Sequence, residues 1–140
     1  MDKWVVHAFL SMLFAGFTAV IAKLGLTGIS SDLGLAIRTS FVFVFVLMFA
    51  AAVVPATELA QVGRGHLLWL GLSGVTTALS WVFYYKAIQA GDVSTVALID
   101  KGSVVVAVLL AWLVLGEALT AAKLVGAALV VAGLVVIARG

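Results

Sequence analysis

Asp100 and Lys101 stand side by side inside an otherwise apolar run that extends from residue 92 to residue 119. A charge at membrane depth is costly, and chains that keep one usually give it a partner or a task. Four more side chains belong with this pair. Arg38 lies about a turn inside the second apolar segment, and Lys86 lies in the last part of the third. Trp81 and Tyr84 share a face with Ser73, Thr77 and Ser80, at steps of three and four residues. Lys and Arg side chains attract carboxylates and phosphates. Asp100 can neutralise one of these bases or carry a proton. Trp and Tyr combine stacking surface with hydrogen bonding. Helix neighbours point roughly 100° apart, so Asp100 and Lys101 are expected to find separate partners. One is expected on a polar pathway and the other against a neighbouring helix or a second protomer. The plainer alternative is a pair of charges satisfied by neighbouring helices, a polar stripe that glues helices together, and an Arg38 that snorkels to headgroups.

These residues need long helices to hold them. The chain has 140 residues, of which 65% are hydrophobic and 10% charged. Soluble domains carry about 25% charged residues. Residues 4–22, 39–57 and 67–85 each contain 19 residues without a charge. Residues 102–116 add 15, extended by 93–99 on the other side of Asp100, and a fifth uncharged stretch covers 124–138. A spanning helix needs about 20 mostly apolar residues. The expected fold class is therefore an all-α membrane protein with five transmembrane helices, near 4–25, 33–54, 67–89, 94–116 and 120–138, forming one domain over residues 1–140. The alternating FVFVFV at 41–46 resembles a strand, but an open strand edge cannot sit in lipid. The first segment is read as a span rather than a leader, because Lys23 closes it and four similar segments come after it.

Local signals place the ends. Asp32 is expected to cap the second helix, and Asp92 or Ser94 the fourth. Pro55 ends the second helix and Gly116 the fourth. Lys23 is read as snorkelling to the interface. Ser11, Ala15, Thr18 and Ala22 form a small, weakly polar stripe on the first helix. On the fifth, Ala122 with Gly126 and Ala128 with Ala132 are pairs four apart, and Gly133 widens their face. Such faces let helices approach closely. Gly126 and Gly133 are the expected dimer contact.

Several functions are excluded or disfavoured. The chain has no cysteine, which removes disulfides and thiolate metal sites. His7 and His66 are isolated near segment ends and are read as interfacial. No Ser/His/Asp set and no phosphate loop after a strand is present, so the chain is read as no enzyme, without cofactor or metal. The net charge of +2 is spread over helix ends, which gives no nucleic-acid patch.

Five spans put the termini on opposite sides. Lys3, Arg64 and Lys123 then share one side, and Lys23, Lys86 and Arg139 the other, with Arg38 and Lys101 inside helices nearest the second. Loop charges orient membrane proteins. This near-even division permits insertion in both directions.

The whole chain resembles a single EamA domain of the drug/metabolite transporter superfamily. The resemblance rests on FAGFTAVIAKLGL, LAIRTSFVFVFVL, LSWVFYYKAIQAGDVSTVALIDK and LLAWLVLGEALTAAKLVGAALVVAGLVVI, the LGE turn and the glycine-alanine helix behind it being the most specific part. Most relatives carry two such repeats in inverted orientation. This chain has one, as in the short bacterial and archaeal members, which implies an antiparallel homodimer of dual topology. The four-helix multidrug carriers are similar through the last two helices. Their glutamate and tryptophan would fall near Ala15 and Ile99, and both are absent, so proton-coupled export of lipophilic cations does not carry over.

The resulting expectation is a secondary-active carrier of small metabolites or drugs, in the inner membrane, working as an antiparallel homodimer by alternating access. Its substrate-binding candidates are Asp100, Lys101, Arg38, Lys86, Trp81 and Tyr84. Its partners are the lipid bilayer, a small-molecule substrate and a second copy. The alternatives are a non-transporting membrane subunit, a regulatory or assembly factor, or a channel.

Overall fold

The computed structural model describes residues 2–139. Among them there are helices and connections but no strand. Five helical segments are long and apolar enough to cross a membrane. The chain divides into two compact units, one up to Ala90 and one from Gly91 onward.

The first unit holds α1 (Lys3–Gly25), α2 (Ser31–Val53), the single-turn α3 (Ala56–Leu59) and α4 (Arg64–Ala90). The loop between α1 and α2 turns at Gly28, whose φ of 81° is in the left-handed region that favours glycine. Ser30, rather than Asp32, caps α2, its hydroxyl accepting from Leu33 N–H at 3.3 Å. Ser30 has the β-region backbone that a cap needs, and Asp32 is left in the first turn, where its charge suits the helix dipole. Val54 ahead of Pro55 is extended and ends α2. α4 starts at Arg64, earlier than the expected residue 67, with His66 Nδ1 accepting from Gly63 N–H at 3.1 Å.

α2 packs along α4. The buried residues lie toward one end of this unit: Ala19 from α1, Leu26 and Ser31 from the loop and α2, Tyr85 and Ile88 from α4. Ile88 is fully enclosed, at 0% exposure. Large apolar side chains elsewhere stand exposed, Trp69 at 68% for example. In water such a surface would aggregate, whereas acyl chains solvate it.

The second unit holds α5 (Val93–Asp100), α6 (Ser103–Leu115) and α7 (Ala121–Arg139). The expected fourth helix is one span broken into α5 and α6. At the break the hydrogen bonds tighten to three-residue spacing: Gly102 N–H donates to Ile99 O, Val104 N–H to Lys101 O and Val105 N–H to Gly102 O, at 2.9, 3.1 and 3.0 Å. This 3₁₀ stretch keeps backbone groups satisfied while interrupting the α-helical ladder. Glycine permits it here because α7 lies close. A Cβ at Gly102 would stand 2.9 Å from Leu134 Cδ1 and 3.0 Å from Ile99 O.

Asp92 stands at the N-cap of α5 with the extended backbone expected there, but its side chain makes no cap hydrogen bond. α6 ends at Gly116, with φ 69°, and Glu117 N–H reaches back to Ala111 O at 3.2 Å. That is the expected glycine stop, closed by a bond across the last turn. Thr120 Oγ1 accepts from Lys123 N–H at 3.3 Å and opens α7, while Lys123 Nζ meets Glu117 Oε2 at 3.0 Å.

Candidate functional site

Two polar layers occupy the end of the first unit where α1, α2 and α4 meet. The outer layer is a clasp. Gln89, near the end of α4, donates through Nε2 to Ile29 O at 2.8 Å and accepts at Oε1 from Ser31 N–H at 3.0 Å. Lys23, in the last turn of α1, donates through Nζ to Ile88 O and to Gln89 O. Those carbonyls belong to the last turn of α4, where helix carbonyls lack intrahelical partners and the dipole favours a cation. Lys23 therefore joins two helices, in place of the snorkelling role its position suggested. Lys86 Nζ stands 3.9 Å from Asp32 Oδ1 at the exposed edge of this layer.

The inner layer is built on Arg38. It is the eighth residue of α2, roughly 10 Å along the axis from the helix start. Its guanidinium lies over the Trp81 ring, 4.2 Å from the centroid, and 5.8 Å from the centroid of Tyr85. Trp81 and Tyr85 are four apart on α4 and so share a face. Rings hold cations in this way because their faces carry partial negative charge. Arg38 Nη1 is buried and has no hydrogen-bond partner among the described residues.

A groove of about 560 Å³ opens in front of this layer, between α1 and α2. Ile21, Leu26, Ile37, Phe41 and Phe45 make its walls, and Arg38 and Tyr85 contribute to it. The volume is within the range of small-molecule sites, about 300–1,000 Å³. Thr18 also lines it, but its hydroxyl donates to Phe14 O at 2.8 Å.

Of the expected residues, Arg38 and Trp81 come together. Lys86 lies at the rim with Asp32. Tyr84 is half-buried, and its neighbour Tyr85, 4% exposed, is the tyrosine beside Arg38. The step of four from Trp81 to Tyr85 is as helical as the step of three to Tyr84, and this was the available signal. Thr77 turns its hydroxyl to Ser73 O at 2.8 Å, so this part of the expected polar stripe is spent within its own helix.

Asp100 and Lys101 belong to the second unit. Their charged groups lie 3.8 Å apart, which corrects the expectation that helix neighbours must seek separate partners. Lys101 sits in the turn where the helix breaks, and its long side chain can fold back along α5 there. Both stay substantially exposed, at 40% for the Asp100 side chain and 56% for Lys101. Gly126 and Gly133 on α7 have no atom within 4 Å of an added Cβ. Among the described residues no three His, Cys, Asp or Glu side chains gather as metal ligands.

Apolar helices of spanning length, with a cation held on an aromatic face beside a groove, define a multi-pass membrane protein built to handle small molecules. The chain belongs to the EamA-like transporter family, which matches residues 2–139. It is 39% identical over 122 residues to a protein from a Sinorhizobium species named as an uncharacterized transporter in the cobO 3' region, covering 84% of each chain. No solved structure matches. The chain is thus a membrane transporter.

Proposed function

We propose that the chain is a secondary-active carrier of small metabolites or drugs, working in the inner membrane as an antiparallel homodimer by alternating access. The observation that carries this reading is the Arg38 guanidinium, stacked on Trp81 with a buried, unpartnered nitrogen at the head of a groove. An ionisable group held inside a spanning unit marks a substrate path by default. Lys86, at the rim of the same unit, and Tyr84, on the same stretch of α4, are second-rank candidates for substrate contact. Asp100 and Lys101 stay candidates because they stand at a break in a membrane helix, where carriers commonly build sites. The open sides of Gly126 and Gly133 support α7 as the face for a second copy.

The test is the purified chain alone in liposomes, loaded against a pool of anionic, zwitterionic and cationic metabolites and read by mass spectrometry of the lumen. A carrier gives saturable flux and accumulates its substrate against a gradient when an ion gradient is imposed. Flux that never saturates would identify a channel, and absence of flux would identify a subunit of another assembly. Either result overturns the proposal. Reporters fused to the C-terminus test the pairing. Both orientations in one cell support the antiparallel homodimer, and a single orientation overturns it.

A further inference from the structure

We infer that the groove headed by Arg38 receives an oxyanion, a carboxylate in the first instance, carried on an apolar body. This rests on the carrier reading and names the class of substrate. Charge sets the sign of the ligand. Among the described residues, Arg38 is the only ionisable one lining the groove apart from the Tyr85 phenol, and no carboxylate lines it. Arginine keeps its proton under all ordinary conditions. The groove therefore presents a fixed positive charge that repels cationic ligands.

Geometry narrows the choice. Trp81 lies against the guanidinium at 4.2 Å, so the plane is held by stacking and the N–H edge is the part left to bond. Nη1 lacks any acceptor although it is buried. A planar guanidinium whose Nη1 lacks a partner matches the two oxygens of a carboxylate, which an arginine fork can take in parallel hydrogen bonds. The nearest acid along the helix does not take this place. Asp32 stands six residues before Arg38, roughly 9 Å along the axis, and faces Lys86 at 3.9 Å. The other lining residues set the character of the ligand's body. Phe41, Phe45, Ile21 and Ile37 offer no hydrogen bond, so the part of the ligand behind its anionic head is apolar. The Thr18 hydroxyl, which could have served a polar tail, is already given to the α1 backbone.

The same chemistry would also accept the phosphate of a lipid headgroup, and the experiment separates the two sources. The purified protein is placed in nanodiscs of phosphatidylcholine alone and titrated calorimetrically with three ligands of one shape: 3-phenylpropionate, 3-phenylpropan-1-ol and 3-phenylpropylamine. The carboxylate is expected to bind at least tenfold more tightly than the other two. Arg38→Gln should remove that preference, and Arg38→Lys should restore only part of it, because an ammonium keeps the charge and loses the fork. Should Arg38→Gln fail to fold, the Arg38→Lys titration still decides. Repeating the titration in maltoside micelles free of phospholipid identifies the source. Tighter apparent binding of the carboxylate there than in the discs means that lipid phosphate competes for the same guanidinium, and an unchanged affinity means that the free anion owns the site. Both support the oxyanion site.

Equal binding of carboxylate and amine, carboxylate binding that survives Arg38→Gln, or full affinity in Arg38→Lys would overturn it. So would loss of the dimer in Arg38→Gln, which would assign the guanidinium to a second copy. The two proposals fail separately. Carboxylate binding without flux in liposomes keeps the site and sinks the carrier. Saturable flux of a cation, untouched by Arg38→Gln, keeps the carrier and sinks the site.

Discussion

The chain places charge inside apolar helices twice and satisfies it in two ways. In the first unit, Arg38 is held across elements, by rings that another helix supplies. In the second, Asp100 and Lys101 meet each other, at a place where their own helix breaks. A charge held by a neighbouring helix depends on tertiary packing and leaves its hydrogen-bonding edge available to a ligand. A charge satisfied locally survives changes elsewhere, and its worth is limited by exposure. The contrast gives an order to the effects expected of substitutions.

The largest is expected at Trp81. Trp81→Ala removes the ring under the guanidinium; a fully buried aromatic would cost about 3–5 kcal/mol, and the half-buried Trp81 is expected to cost the lower end of that range or less. Trp81→Phe keeps a ring face and should recover most of it. Unfolding of the purified protein in mixed micelles measures both. If Trp81→Ala matches the parent chain, the stack contributes nothing and the comparison collapses.

Gln89→Leu comes next. It removes the acceptor of the N–H of Ser31, a buried residue, through a part-buried bond, and an exposed donor to Ile29 O. A buried donor left without a partner costs about 1–3 kcal/mol. The same unfolding experiment should show a loss of this size, with faster hydrogen exchange at Ser31. An unchanged midpoint would mean that water replaces the amide.

Gly102→Ala addresses the break. The new Cβ would press on Leu134, which can move, and on the Ile99 carbonyl oxygen, which moves less easily. Overpacking of this kind costs about 1–3 kcal/mol, offset in part by the better helix propensity of alanine, about 1 kcal/mol. A distance between spin labels on α5 and α6 that lengthens in this variant would show the two segments straightening into one helix. No change in distance would place the cause of the break outside Gly102.

The smallest effect on stability is expected at the second charge pair. Asp100→Asn and Lys101→Gln break an exposed contact, worth about 0–1 kcal/mol. Transport is the sharper readout. If this pair serves the substrate path, at least one variant loses flux while remaining folded. Wild-type flux in both would make the pair structural and leave the first unit alone with the chemistry.

The helices were legible because length and charge exclusion govern membrane insertion, and those are properties of the letters alone. Residues 4–22 and 39–57 announce their spans without any tertiary information. Arg38 and Trp81 were legible as candidates because rare residue types stand out against an apolar background. What stayed hidden depends on contacts between distant residues. The choice of Tyr85 over Tyr84 is decided by the rotation of α4 against α2, which no local pattern encodes. The break at Gly102 is tied to Leu134, thirty-two residues further on. Lys23 is an interfacial lysine by position and a helix-joining one by geometry, because the last turn of α4 happens to end beside it.

The clasp has a consequence for synthesis. Gln89 ties residues 29 and 31 across a separation of about sixty positions, so that its bonds close a ring of chain containing α2, α3 and most of α4. That ring can close once residue 89 has left the ribosome, before α5 to α7 have emerged behind it. The nascent protein is therefore expected to lock its first three spans early, and to add the last two to a finished scaffold. Ribosomes stalled at increasing lengths beyond residue 89, with cysteines placed at 32 and 86, which face each other beside the clasp without forming it, would track this order. Efficient crosslinking that begins only when α7 has emerged would reverse it.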